Sequence, residues 1–350
     1  MPASPRPPGP PDPRRDAGGP LWAAASVPVG AAVEPDLLQQ DAAYVATLLR
    51  EFNAITPENA LKWGVVHPSE RAWNLEPADR LVAFAEANQL RVHGHTLVWH
   101  GQLAGWLTPA LTRPEVARAL AAHIETLVGR YARRIASWDV VNEAVAADGG
   151  GLRDTYFLRA CGKDYVEAAF RLAHAADPGA RLYYNDYGAE GAGRKSDAVY
   201  ALARRLLDAG VPLHGVGLQM HLRVTRPPSV AAVAANVARL VGLGLEVRIS
   251  EMDVRIRRVR RGDPLARQRR VYHDAIAGCA GMAGFAGVTF WGVSDRHSWV
   301  HGEFGRDAPL LFDRDYRPKP AYHGVREALA AAQKAQSTPS VQPENDSDQK

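Results

Sequence analysis

Two short stretches hold residues able to do acid–base chemistry. In ASWDVVNEAV (136–145) an apolar run ends on an amide and a carboxylate side by side, Asn142 and Glu143. In RISEMDV (248–254) a second run carries Glu251, with Asp253 close behind. A carboxylate at the end of an apolar strand is costly to bury unless partners or protonation relieve it. Two such carboxyls set against each other can divide the work: one stays protonated to donate, the other ionised to attack or to activate water. That division suits cleavage of a glycosidic bond. A structural carboxylate paired with arginine or lysine would explain either glutamate taken singly, but not both, beside Asn142 and Asp253.

Imidazoles and indoles complete the set. His95, His100 and His221 could suggest a metal, but the H-x4-H spacing of HTLVWH is not a common zinc spacing and falls at a strand end. Hydrogen bonding to hydroxyls or carboxylates is the expected role, with no metal and no cofactor. Trp63, Trp99, Trp106, Trp291 and Trp299 all lie near the ends of apolar runs. Indole faces stack well on the C–H faces of sugar rings, and five near strand ends exceed what packing usually asks.

The elements that must position these residues follow a repeat. Short apolar runs occur near 27–33, 52–56, 91–98, 135–142, 181–185, 213–220, 245–250 and 285–291. Between them lie helix-like segments with start signals, such as PADRLVAFAEANQ after Glu76, TRPEVARALAAHIETLVGRYARR with Pro114 near its start, and PPSVAAVAANVARLVGLG. Runs such as VGLQM and GVTFW are apolar throughout, as expected of strands covered on both faces. Eight strands alternating with eight helices predict an α/β fold of one domain, a closed (β/α)8 TIM barrel over 21–333. A doubly wound open sheet is the alternative, but no glycine fingerprint follows the first strand. In a barrel the chemistry gathers where strands end, and seven of these eight ends carry carboxylates, amides, imidazoles or indoles.

Composition narrows the classes. The balance of 42 basic and 38 acidic residues, +4, argues only weakly for nucleic acid, and no zinc-finger, P-loop or RNP-like signature supports it. Two cysteines, Cys161 and Cys279, are too few for a disulfide framework or a Cys-based metal site. No apolar run approaches the roughly 18 residues that span a bilayer. The Pro- and Gly-rich segment 1–20 and the polar tail 334–350 are expected to be disordered. Arg14 and Arg15 before LWAAASVPVGAAV invite a signal-peptide reading, against which Pro20 and Pro28 weigh; SVPVGAAV reads better as the first strand. The run RIRRVRRGDPLARQRR (255–270), eight arginines against one aspartate, reads as a solvated loop and helix. A sharper reading is an arm favouring an anionic substrate, such as a glycan bearing uronic acids.

Over residues 27–330 the chain resembles the endo-β-1,4-xylanases of glycoside hydrolase family ten. The resemblance rests on GAAV, REFNAITPENALKW, RVHGHTLVWH, WDVVNEAV, LYYNDY, GVGLQMHL, ISEMDV, TFWGVSD and PLLFDRDYRPKPAY, in that order. It implies a retaining barrel enzyme acting on xylan or xylo-oligosaccharides, with Glu143 as general acid/base and Glu251 as nucleophile. Asn142 matches the residue that holds the sugar 2-hydroxyl, and His221 and Asp253 the pair that orient the nucleophile. His95, Trp99 and Gln219 match residues around the same sugar. Glu58, Asn59 and Lys62, with Gln102 nearby, match the grip on the next sugar toward the non-reducing end, and Trp291 and Trp299 the indoles roofing both.

Departures fall at the rim. HGQLAGW replaces the family's common HSQLPSW at Gly101 and Ala104, and Val300 stands where an arginine often follows the roof tryptophan. Phe285 takes the place of a cysteine that would pair with Cys279, so no bridge is expected; this and the lack of a standard leader lean toward an intracellular enzyme, with export by an unusual route or an upstream start as the alternative, and a monomer is expected. The competing functions are a barrel glycosidase of other β-1,4-glycans and a barrel that binds glycans without cleaving them. Replacement of either glutamate would favour the latter, and both are present.

Overall fold

The apolar runs form the parallel strands β1 (Val29–Val33), β2 (Ala54–Pro57), β3 (Arg91–Val98), β4 (Ser137–Asn142), β5 (Arg181–Asp186), β6 (Gly215–Leu218), β7 (His221–Arg223), β8 (Glu246–Arg255) and β9 (Phe285–Phe290). Neighbours in sequence pair from β1 to β6, β9 returns to β1, and β6 reaches β8, so the sheet closes on itself. β6 and β7 are two pieces of one stave, interrupted at Gln219 and Met220, and β7 runs beside the outer part of β8. The result is the expected eight-stave (β/α)8 barrel.

The computed structural model describes residues 19–257, 259 and 261–337. Most of the ends expected to be disordered lie outside these residues. The last helix, Pro320–Ser337, runs past the expected boundary at 333, so residues 334–337 are helical. At the other end Leu21 is buried in a 3-10 turn, its N–H donating to Glu51, and Val29–Val33 is the first stave.

The helices begin where the sequence signals them. Thr112 and Glu115 form a capping box before Arg113–Arg130, Thr112 N–H donating to Glu115 Oε2 at 2.7 Å. Ser229 caps Val230–Val241 through the N–H of Ala232. Pro77 sits in the first turn of Glu76–Ala87. β1 is buried along its whole length because side chains fill the barrel inside and helices cover it outside. Beyond the simple alternation, short helices stand in the loops after β2 (Trp63–Val66), β4 (Tyr156–Cys161) and β9 (Val300–Phe304). Among the described residues no helix is long and apolar enough to cross a membrane. Cys161 and Cys279 are both free and buried.

Candidate active site

The polar strand ends converge on one cleft of about 740 Å³ at the C-terminal mouth of the barrel, and both glutamates line it. Glu143 follows the last residue of β4 with φ 59°, in the left-handed region that non-glycine residues rarely adopt. Gln102 (φ 48°) and Met220 (φ 61°) share that strain, one lining the cleft and the other next to His221. Glu251 lies inside β8, which runs on to Arg255 instead of closing at the glutamate as expected. A register shift against β9 between Ile249 and Met252 brackets it, a device that re-aims side chains near active sites.

Amides join the two carboxyls. Asn185 Nδ2 donates to Glu251 Oε1 (2.6 Å) and to Asn142 Oδ1 (3.0 Å), and its own oxygen accepts from Ser250 Oγ (2.6 Å). Gln219 Nε2 donates to Asn142 Oδ1 and to Glu143 Oε1, both at 3.1 Å. Gly217 makes room for this chain, since a Cβ there would sit 2.2 Å from Asn185 Oδ1.

The carboxyls differ in their surroundings. The Glu251 side chain is 6% exposed, with His221 Nε2 3.2 Å from Oε2 and His95 Nδ1 3.8 Å from Oε1. Burial opposes its ionisation, but His95 and His221 outweigh burial and hold the carboxyl below its usual range. The Glu143 side chain is 12% exposed, with His100 Nε2 3.9 Å from Oε2. His221 bridges two carboxylates, its Nδ1 lying 2.8 Å from Asp253 Oδ2. Burial disfavours its charge, yet Asp253 and Glu251 raise it to about 10, so it is an imidazolium at neutral pH. Trp299 Nε1 donates to the same Asp253 oxygen at 2.8 Å.

A second relay lies beneath. Asp139 Oδ2 is 2.9 Å from His95 Nδ1, and Asp139 Oδ1 is 3.0 Å from His93 Nε2. Burial opposes charge on Asp139, but the two imidazoles hold its carboxyl well below the usual range. His95, Asp139 and Glu251 place candidate metal-ligating atoms within 4.8 Å of one another. The His95 nitrogen nearest both carboxylates is already hydrogen-bonded to Asp139, which makes the trio a hydrogen-bonding relay.

Along the cleft, Lys62 Nζ donates to Asn59 Oδ1 (2.9 Å), Gln102 Nε2 reaches the same oxygen (3.3 Å), and Asn59 Nδ2 donates to Glu34. Burial, then the Glu34 carboxyl, pushes Glu58 up despite Lys62; burial pushes Lys62 down. Lys62 lies over the Trp99 ring, 5.0 Å from its centroid. Gly101 allows that ring its position, because a Cβ there would lie 2.7 Å from it. The glycine at this position is therefore tied to where Trp99 sits. Trp291 meets His95 edge-on at 5.0 Å, and Trp299 lies 4.9 Å from His221.

The residues that the resemblance assigns to the site are brought to this mouth, with Asp253 hydrogen-bonded to His221. Two of the five indoles are not. Trp63 is 3% exposed and stacked on His123 at 3.8 Å, and Trp106 donates to the His67 carbonyl at 3.0 Å. They are packing residues, whose nearness to strand ends in sequence misleads. Missed residues include Asn185, Asp139, Glu34, Tyr187 and Glu190. LYYNDY and WDVVNE carried a signal for the first two, as polar residues inside strands. Asp186, also in LYYNDY, lies 2.8 Å from Lys195; burial still raises it to about 6.

A parallel barrel with two carboxyls joined by amides at its C-terminal mouth, and two indoles lining the same cleft, has the build of a barrel glycosidase. The profile of the family described as "Glycosyl hydrolase family 10" matches residues 21–328, and the chain belongs to that family. Among its curated relatives, endo-1,4-beta-xylanase B of Thermotoga neapolitana is 40% identical over 296 residues, covering 82% of this chain and 83% of its own. The beta-1,4-xylanase of Dictyoglomus thermophilum is 39% identical over 293 residues, covering 80% and 82%. Among solved structures, xylanase 10B of Thermotoga petrophila RKU-1 in complex with xylobiose superposes with a TM-score of 0.84 at 38% identity, covering 89% of this chain and 96% of its own.

Proposed function

We propose that this protein is an endo-1,4-β-xylanase that cleaves internal β-1,4-xylosidic bonds of xylan or xylo-oligosaccharides with retention of configuration. The observation that carries the reading is the pair Glu143 and Glu251, joined through Asn142, Asn185 and Gln219 at the floor of the cleft. The xylanase names of its relatives support the substrate.

The unlike surroundings of the glutamates support their roles. Glu251, buried beside an imidazolium and an amide donor, is the ionised nucleophile. It attacks the anomeric carbon while Glu143 gives its proton to the leaving oxygen, forming an α-linked glycosyl ester. Ester formation removes the negative charge of Glu251. Glu143, now a carboxylate, takes a proton from water as that water attacks from the β face, and both groups return to their starting states. Asn142 holds the 2-hydroxyl of the sugar at the cleavage point, and His221 and Asp253 keep the nucleophile aimed. His95, Trp99 and Gln219 surround that sugar; Glu58, Asn59, Lys62 and Gln102 grip the next, and Trp291 and Trp299 roof both.

A digest of beechwood xylan, with products sized over time, tests this reading. An early ladder of short xylo-oligosaccharides is the expected result. Release of nothing from xylan and no cleavage of xylotetraose would overturn it.

A further inference from the structure

The arginine-rich run resolves into two parts. Arg269 is held by Glu327 of the last helix at 2.7 Å. Arg255 and Arg257, in contrast, line a cavity of about 340 Å³ together with Arg223, Thr225, Phe304 and Asp307. That space holds roughly ten waters, enough to admit one sugar residue. Arg223, Arg255 and Phe304 also line the cleft, so the two cavities share a wall.

The strands explain this placement. His221 pairs with Asp253, and Arg223 with Arg255, in the register of β7 on β8. Side chains alternate along a strand, so the arginines share the face of His221 and Asp253, farther out from the carboxyl pair. Arg255 stacks on the Phe304 ring at 3.8 Å, and Phe304 meets Trp299 edge-on at 5.6 Å, so one aromatic wall leads from the indole roof to the guanidinium groups. Arg257 donates to the carbonyl of Phe304, the last residue of the short helix Val300–Phe304. Among the described residues lining the cavity Asp307 is the one carboxylate. Its oxygens accept from the backbone N–H groups of Ile256, Arg257 and Ala308. Glu303 lines the cleft but not the arginine cavity.

We propose that this arginine cavity is a subsite for a carboxylate carried on the glycan itself, a uronic acid branch of the chain being cleaved. Guanidinium forks match carboxylate geometry in a way a lone ammonium does not. The shared wall means that an anion seated here can belong to the glycan lying in the cleft. The proposal rests on the xylanase reading and narrows its substrate class.

The test compares a uronic-acid-branched xylo-oligosaccharide with its carboxyl-reduced counterpart, alike in shape but uncharged. The readout is the ratio of kcat/KM for the acidic over the reduced substrate. In the wild type the ratio should be about tenfold at low ionic strength, as for a charge-assisted contact. It should shrink toward one in 1 M salt, where screening acts beyond about 3 Å. Arg223→Gln and Arg257→Gln should each lower the ratio at least threefold. A wild-type ratio of one, or a ratio that neither variant moves, overturns the subsite. A change in linear-substrate turnover on adding free glucuronate would assign the cavity to a free anion and overturn the branch assignment. Failure to cleave the linear, reduced and acidic oligosaccharides alike would instead overturn the xylanase reading.

Discussion

Asn185 Nδ2 donates to Glu251 Oε1 at 2.6 Å, and through its other hydrogen to Asn142 Oδ1. One amide thus fixes the buried carboxylate relative to the strand end that carries the second. Replacement by alanine would strip partners from Glu251, Asn142 and Ser250 at once. Asn185→Ala should cost about 1–3 kcal/mol of stability and lower kcat far more than it raises KM. Chemical denaturation and steady-state kinetics measure both. A variant with wild-type kcat would remove this residue from the machinery.

Nucleophile and acid/base are separable by chemical rescue. Glu251→Ala should abolish turnover, and azide should restore it with an α-configured glycosyl azide as product. Glu143→Ala should lose about 10²–10⁴ in rate on substrates needing protonation, keep activity on good leaving groups, and give the β-configured azide. Product configuration by NMR decides; interchanged products would reverse the two roles.

His221 links activity and stability to pH. Its proton is held more tightly folded, up to about 10, than in an ordinary imidazole near 6.5. The associated stability is therefore complete below about 6.5 and lost as pH rises toward 10. In His221→Gln the fall in Tm across that window should be shallower than in the wild type. Because His221 also helps hold Glu251 below its usual range, the acid limb of kcat/KM should move to higher pH in the variant. An unmoved acid limb would contradict the role given to this imidazole.

His123 makes the opposite prediction. It is fully buried, stacked on Trp63 at 3.8 Å, and burial lowers its proton affinity well below the usual value. The unfolded chain takes up the proton that the folded one refuses, so stability is full above about 6.5 and falls with pH. His123→Phe keeps a ring on Trp63 and removes the titration. Its Tm should drop less than that of the wild type between pH 7 and pH 5 (scanning calorimetry). An equal drop would place the pH sensitivity elsewhere.

Local pattern along the chain dictates the staves and which of their ends are polar. Strand periodicity and helix-start signals are local, and Glu143, Asn142 and Glu251 stand out because polar groups end or interrupt apolar runs. It did not determine partners. Asn185 meets Glu251 from 66 residues away, Gln219 meets Asn142 from 77, and Asp139 meets His95 from 44. Such pairings exist only once the barrel closes. Trp63 and Trp106 lie as near to strand ends as Trp99 does, yet folding turns them into the packed stack around His123 and His67. The arginines divide in the same way: one chain segment supplies both Arg255 at the cleft and Arg269 on the last helix, while Arg223 joins the first from another strand. Period and composition say which side chains leave the core; only the register of neighbouring strands and the packing of loops decide which of them meet.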